Sequence, residues 1–115
     1  MSDDEDRRWS LEAARAMLPD VISRTGEAVE VVEALMARRD ELEQGSPEDA
    51  LLEQEIEASF SRWVREMEAL GVEVKGPWLV DFDSGAGYFC WRWPERELLY
   101  FHGYDEGFEG RARIQ

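Results

Sequence analysis

The chain has few of the residue types that form cross-links or carry chemistry: one cysteine, one histidine and 13 basic residues among 115. A lone cysteine, Cys90, cannot form an intramolecular disulfide, and a single thiol suits a reducing compartment. No apolar run approaches the length of a membrane-spanning helix, and the first residues are acidic rather than signal-like. We therefore expect a cytoplasmic protein with no membrane partner.

Basic residues are outnumbered by 27 acidic ones, which leaves a net charge of −14. Such a chain repels phosphates and anionic lipid headgroups, so we expect no nucleic-acid partner. Glutamates on the outer faces of helices, where they favour solubility, are the simplest explanation of the excess. A basic protein partner stays open as an alternative.

Apolar spacing predicts a hairpin of two long helices, residues 19–44 and 47–70. In the first helix, steps of four and three residues define a coiled-coil seam that a second set of residues widens on one flank. The seam consists of Val21, Thr25, Ala28, Val32, Leu35, Arg39 and Leu42, and the flank of Ile22, Val29 and Met36. The second helix repeats this spacing from Leu52 to Leu70. Between them, Gly45 and the Ser46-Pro47 pair are typical of a helix end and a new helix start.

Before the hairpin, Ser10 can cap a short helix over residues 10–18. Pro19 should break or kink that run, because its ring removes an amide donor and restricts the residue before it. Residues 1–8 carry little to bury and are expected to form a flexible acidic tail. The remaining residues, 9–115, form one domain of ordinary size.

After Gly71 the apolar period changes from that of a helix to that of a strand. Alternation predicts strands at about 72–75, 78–82, 88–93 and 98–102, joined by short turns. The fold class is therefore α+β: a short helix, then a long antiparallel helical hairpin packed against an antiparallel β-meander of three to four strands. The aromatic face that should pack on the hairpin carries Trp78, Val80, Phe82, Phe89, Trp91, Trp93, Leu99 and Phe101.

The opposite face of the sheet is too polar for a simple core and too aromatic for an ordinary solvated surface. It should carry Asp81, Tyr88, Cys90, Arg92, Tyr100 and His102. The loop that follows adds further acidic and basic groups. Together these define a candidate functional surface of Asp81, Arg92, Tyr100, His102, Asp105, Glu106 and Arg111.

Several segments resemble a family of small bacterial and archaeal proteins known only as domain of unknown function 2203. The resemblance covers nearly the whole chain, beginning with residues 10–14 and the Leu18-Pro19 pair. Its most specific part is C-terminal, and consists of Gly71-Val72, Val74-Lys75, Leu79-Val80-Asp81-Phe82, Cys90-Trp91, His102, Asp105-Glu106-Gly107-Phe108 and Gly110-Arg111. Pro94 departs from the family pattern, which usually has glycine there. The resemblance implies the same fold and no particular activity.

The histidine and its neighbours admit two interpretations. His102, Asp105 and Glu106 offer donors for a divalent metal, with further ligands from Asp81, Cys90 or a helix glutamate. The simpler interpretation is that His102 hydrogen-bonds Asp81 or Asp105, while Arg111 pairs with an acidic residue. Cys90 could likewise be a nucleophile paired with His102, although a mid-strand thiol between aromatic residues is more typical of a buried, unreactive one.

The hairpin suggests a different kind of function. Ile22, Val29 and Met36 would be buried if a second copy completed a four-helix arrangement. We therefore expect an interaction or scaffolding protein, a homodimer with no required cofactor, rather than an enzyme. The alternative is a protein that binds a divalent metal or small ligand, or an enzyme, with its site in the loop after His102.

Overall fold

The computed structural model describes residues 8–115, so most of the predicted acidic tail lies outside the described part. Two helices are followed by a five-stranded antiparallel sheet in the order β1-β2-β3-β4-β5. This confirms the α+β class and the helical hairpin, with one or two strands more than predicted. The elements are α1 (Leu11–Asp40), α2 (Pro47–Leu70), β1 (Glu73–Gly76), β2 (Leu79–Asp83), β3 (Tyr88–Arg92), β4 (Tyr100–His102), a 3-10 helix (Phe108–Gly110) and β5 (Ala112–Arg113).

Where the sequence predicted a short helix and a long one, the structure has a single helix that continues through Pro19. The predicted break is wrong because packing outweighs the missing amide donor. Leu18 and Val21 on either side of the proline are buried in the core, whereas Pro19 itself is exposed. The ring therefore lies on the solvent side of the helix, at an open groove that it lines together with Arg96 and Leu98.

The turn of the hairpin forms where predicted, although α1 ends at Asp40 rather than at residue 44. The Asp49 carboxylate accepts hydrogen bonds from the Gly45 amide at 2.9 Å and from Arg39 at 2.6 Å. Ser46 caps α2 by accepting from the Asp49 amide at 3.2 Å. Because the Asp49 carboxylate bonds to residues on both sides of the turn, α1 ends about one helical turn earlier than predicted.

The predicted aromatic face of the sheet packs on the hairpin, with Val80, Phe82 and Trp91 fully buried. One assignment on that face is wrong: Leu98, not Leu99, enters the core. The strand β4 begins only at Tyr100, so the alternation predicted from residue 98 does not apply there. The Leu98 carbonyl instead accepts from the Arg15 guanidinium, which ties this segment to α1.

The sheet covers only part of the hairpin. Helix residues that share the core with the sheet lie in residues 11–28 and 60–70, which we call the stem. At the end of the stem nearest the tip, Gly26 of α1 closely approaches the Trp93 ring. A Cβ added at this glycine would lie 3.1 Å from that ring. Residues 29–59, the tip, pack helix against helix. Neither helix in the described part is long and apolar enough to cross a membrane.

Candidate functional site

Three adjacent strands bring Asp81, Cys90 and His102 together on the face of the sheet that points away from the hairpin. Asp81 of β2 pairs directly with Cys90 of β3, and His102 of β4 lies opposite Tyr88, two residues from Cys90. All three side chains are buried, with exposures of 1%, 1% and 4%. One ligand atom from each lies within 4.8 Å of the others, the one such group among residues 8–115.

The His102 ring contacts two oxygen atoms. Its Nδ1 lies 2.9 Å from the Gly103 carbonyl, and its Nε2 lies 2.9 Å from Asp81 Oδ2. A carbonyl can only accept, so Nδ1 carries a hydrogen. The second contact then also needs a proton, held either by Nε2 or by Oδ2. The sheet thus buries one shared proton between a histidine and a carboxyl group.

The Asp81 carboxyl group is only partly satisfied. Its Oδ1 atom is buried and makes no hydrogen bond with any residue of the described chain. Burial raises the pKa of Asp81 above its usual value, and the neighbouring His102 and Cys90 oppose that shift. A buried carboxylate oxygen without a partner costs folding free energy, on the order of 1–3 kcal/mol. Its retention therefore requires an explanation.

Cys90 is not prepared to act as a nucleophile. Burial, reinforced by the Asp81 charge beside it, raises the pKa of the thiol to about 12. The thiol lies beside the Asp81 carboxylate, and its sulfur has one long contact, 4.0 Å from Arg111 Nη1. The thiol is therefore protonated at neutral pH, and the His102 nitrogen that could activate it is directed to Asp81 instead.

The C-terminal segment covers this buried cluster. Arg111 forms a bidentate pair with Glu95, at 3.1 and 2.6 Å, and its guanidinium lies 4.0 Å from the centroid of the Tyr100 ring. The ring of Phe108 lies on Arg111 as well, at 4.1 Å. An arginine held by two aromatic rings and a carboxylate explains why the face below it is shielded from water.

The structure therefore brings together part of the predicted surface. Asp81 and His102 meet, and Arg111 and Tyr100 stack above them. Arg92 is exposed and lies over the Phe108 ring. Asp105 and Glu106 are exposed and lie outside the ligand group of His102, and Glu106 accepts from the Gly103 amide at 2.8 Å. The histidine points into the sheet, so the loop carboxylates do not share its ligand position.

Sequence reasoning missed Glu95, which the turn between β3 and β4 places beneath Arg111. Besides pairing with that arginine, its carboxylate accepts from the Arg92 amide at 2.8 Å, and its carbonyl accepts from the Trp91 indole at 2.7 Å. A glutamate in a Pro-Glu-Arg turn has no periodic signal that distinguishes it from a solvated one. Only the pairing of distant segments reveals the role of this residue.

The residues predicted for self-association do not form one exposed surface. Val29 is buried within the hairpin, Ile22 packs against the core, and Met36 at the tip is 51% exposed. The core shared with the sheet covers Ile22, and the hairpin itself buries Val29, so of the three only Met36 stays open to a second copy. Self-association through the hairpin would have to use another face.

Another apolar strip is open to solvent on the hairpin. Val31 of α1 is 49% exposed and lines a groove of about 130 Å³ together with Ala28, Ser59 and Arg62. Leu51, 60% exposed, precedes Arg62 by about three helical turns and therefore lies on the same side of α2. Leu35, one turn beyond Val31, is half-buried, as is Ala28, which packs against the edge of the core. We call Ala28, Val31, Leu35 and Leu51 the outer strip.

The fold and these two features define a class: a small α+β protein in which a helical hairpin is half covered by a sheet with a buried polar cluster. The chain belongs to the family described as an uncharacterized conserved protein, DUF2203, which matches residues 7–114. No curated protein and no solved structure matches the chain. The family description carries no activity, so the function rests on the features described above.

Proposed function

We propose that this protein is a self-associating interaction module, a homodimer that pairs through the outer strip of its hairpin. The observation that carries the proposal is the exposure of Val31 and Leu51 on one side of the hairpin, where no other element covers them. Large apolar side chains that remain exposed on one side of a protein favour contact with a partner. A second copy of the hairpin would complete a four-helix arrangement.

The spacing of the strip fits a helix-to-helix contact. Ala28, Val31 and Leu35 follow one another by three and four residues, which places them on a single stripe of α1. This stripe borders the buried line that includes Thr25, Val29 and Val32, and Val31 is its most exposed member. The first helix can therefore contact α2 with one side and a second copy with another.

Charge favours an antiparallel pairing of α1 with its counterpart. Glu27 and Arg38 are both exposed and lie at the two ends of the strip. A two-fold axis centred between Val31 and Leu35 would bring Glu27 of one copy near Arg38 of the other, and the symmetry repeats this contact. Opposite charges at both ends favour the antiparallel arrangement over a parallel one, which would place like charges together.

Sedimentation velocity tests the proposal directly. We expect the native protein to sediment with twice the 13.3 kDa mass of the chain, and V31E with L51E in one chain to sediment as a monomer. Glutamate at these exposed positions disrupts an interface but leaves the monomer core untouched, so the far-UV circular dichroism should not change.

M36E provides the matched control, because Met36 is as exposed as Val31 but lies outside the outer strip. This variant should remain a dimer. A native protein that stays monomeric at high concentration would overturn the proposal. So would an unaltered mass for the V31E/L51E chain.

A further inference from the structure

We propose that Asp81, Cys90 and His102 form a buried binding site for a divalent cation of the zinc type. The three side chains supply oxygen, sulfur and nitrogen, a donor set that zinc accepts and that magnesium and calcium do not. Their ligand atoms lie within 4.8 Å of one another. Donors around a tetrahedral zinc ion lie roughly 3.3–3.7 Å apart, so small side-chain adjustments would close the site.

The orphaned oxygen of Asp81 is the observation that points to a ligand. Asp81 is 1% exposed, and its Oδ1 atom has no hydrogen-bond partner in the described chain. A cation bound between the three side chains would also supply a partner for the Asp81 carboxylate at Oδ1, where no donor of the described chain does. Without such a partner, the Oδ1 atom keeps a desolvation cost that no hydrogen bond offsets.

The orientation of the histidine fits a metal ligand. Its Nδ1 donates to the Gly103 carbonyl, which fixes the ring and leaves Nε2 directed into the cluster beside Asp81. A histidine ligand usually donates its second nitrogen to a carbonyl or carboxylate in this manner. Arg111, 4.0 Å from Cys90 Sγ, would stabilise the thiolate that coordination requires.

Charges and protons balance when a dication replaces the two protons of the cluster. In the metal-free cluster the Cys90 sulfur carries one proton, and the His102–Asp81 pair shares another. Binding a dication forms bonds to sulfur, nitrogen and oxygen, releases both protons to solvent and leaves a buried site with no net charge. Three protein ligands leave one position of a tetrahedral ion for water or an exogenous donor. Entry requires the segment around Arg111 to open, because it covers the site.

Cobalt(II) added to the chelator-treated full-length protein is the decisive probe. A bond between cobalt and a thiolate produces an intense charge-transfer absorption in the near ultraviolet, and Cys90 is the single cysteine of the chain. We expect this band to saturate at about one cobalt per chain, with about two protons released at neutral pH. Cobalt held by surface carboxylates would show no such band, so the acidic surface cannot imitate the result.

Variants assign the ligands. C90S should abolish the band, H102Q should weaken binding by at least tenfold, and D105N should leave both unchanged because Asp105 is an exposed carboxylate outside the cluster. Circular dichroism of each variant establishes that it is folded, and the native titration does not depend on any of them. The proposal is overturned if the native protein shows no charge-transfer band, or if the band survives in C90S.

Discussion

The stem and the tip of the hairpin follow the same apolar spacing, yet the two ends are stabilised differently. In the stem, Trp63 is 1% exposed and packs at 4.9 Å from the Trp78 ring of the sheet side. At the tip, the buried apolar residues are all aliphatic, such as Val32 and Leu52, and half-exposed apolar side chains lie around them. The apolar spacing of a helix therefore reveals where the two helices contact each other, but it does not reveal where the sheet packs on them.

Truncating one large buried side chain in the stem and one in the tip should give the largest difference in stability between the two ends of the hairpin. We expect W63A to lower the free energy of unfolding by about 4–5 kcal/mol and L52A by about 2–3 kcal/mol. The tryptophan cavity is enclosed by helices and sheet, whereas the tip can collapse around a smaller residue. Urea unfolding at equal protein concentration measures both. Equal losses would show that the tip is as tightly enclosed as the stem.

A polar contact inside the stem should give the next largest effect. The Trp63 indole donates to Thr25 Oγ1 at 2.9 Å, and both residues are fully buried. T25V removes the acceptor while keeping the shape, so a buried donor is left without a partner at a cost of roughly 1–3 kcal/mol. Unfolding in urea again provides the measurement. The double variant T25V/W63F removes donor and acceptor together; if its loss equals the sum of the two single losses, the hydrogen bond contributes nothing.

The turn at the tip should respond to pH through the carboxylate of Asp49. The Gly45 amide, followed by Arg39, holds the pKa of Asp49 below its usual value of 3.8. A carboxyl group with a lowered folded pKa stabilises the protein fully above the unfolded pKa, and that contribution is lost as the pH falls through the folded value. The native protein should therefore have a higher thermal midpoint than D49N at pH 7, with the gap closing in acid. A gap that stays constant below pH 3 would refute this origin.

Much of this fold follows from local pattern. The seam from Val21 to Leu42, the Ser46-Pro47 start and the strand alternation each require neighbours close in sequence, and the structure confirms the hairpin and the sheet they predict. The predicted break at Pro19 is wrong because the tertiary packing of the helix outweighs the local effect of the proline. The buried Leu18 and Val21 hold the helix together across an exposed ring.

The candidate sites were less accessible to sequence reasoning. Alternation correctly placed Asp81, Cys90 and His102 on one face of the sheet, but it could not tell that the C-terminal segment buries that face. The metal ligands predicted beside His102 were therefore Asp105 and Glu106, which are close to the histidine in sequence and exposed in the structure. The residues predicted for self-association, Ile22, Val29 and Met36, lie in three different environments, because the spacing within one helix does not reveal what packs on each part of it.

The central claim is that a second copy covers the open side of the tip, and a charge-swap experiment tests it most directly. Sedimentation velocity at low ionic strength would compare E27R, R38E and the double variant E27R/R38E with the native protein. Each single change places like charges together at both symmetry-related contacts, so we expect the dimer to weaken several-fold. The double variant restores opposite charges and should recover the native dimer. Single variants that dimerise like the native protein, or a double variant no better than either single one, would contradict the proposed arrangement.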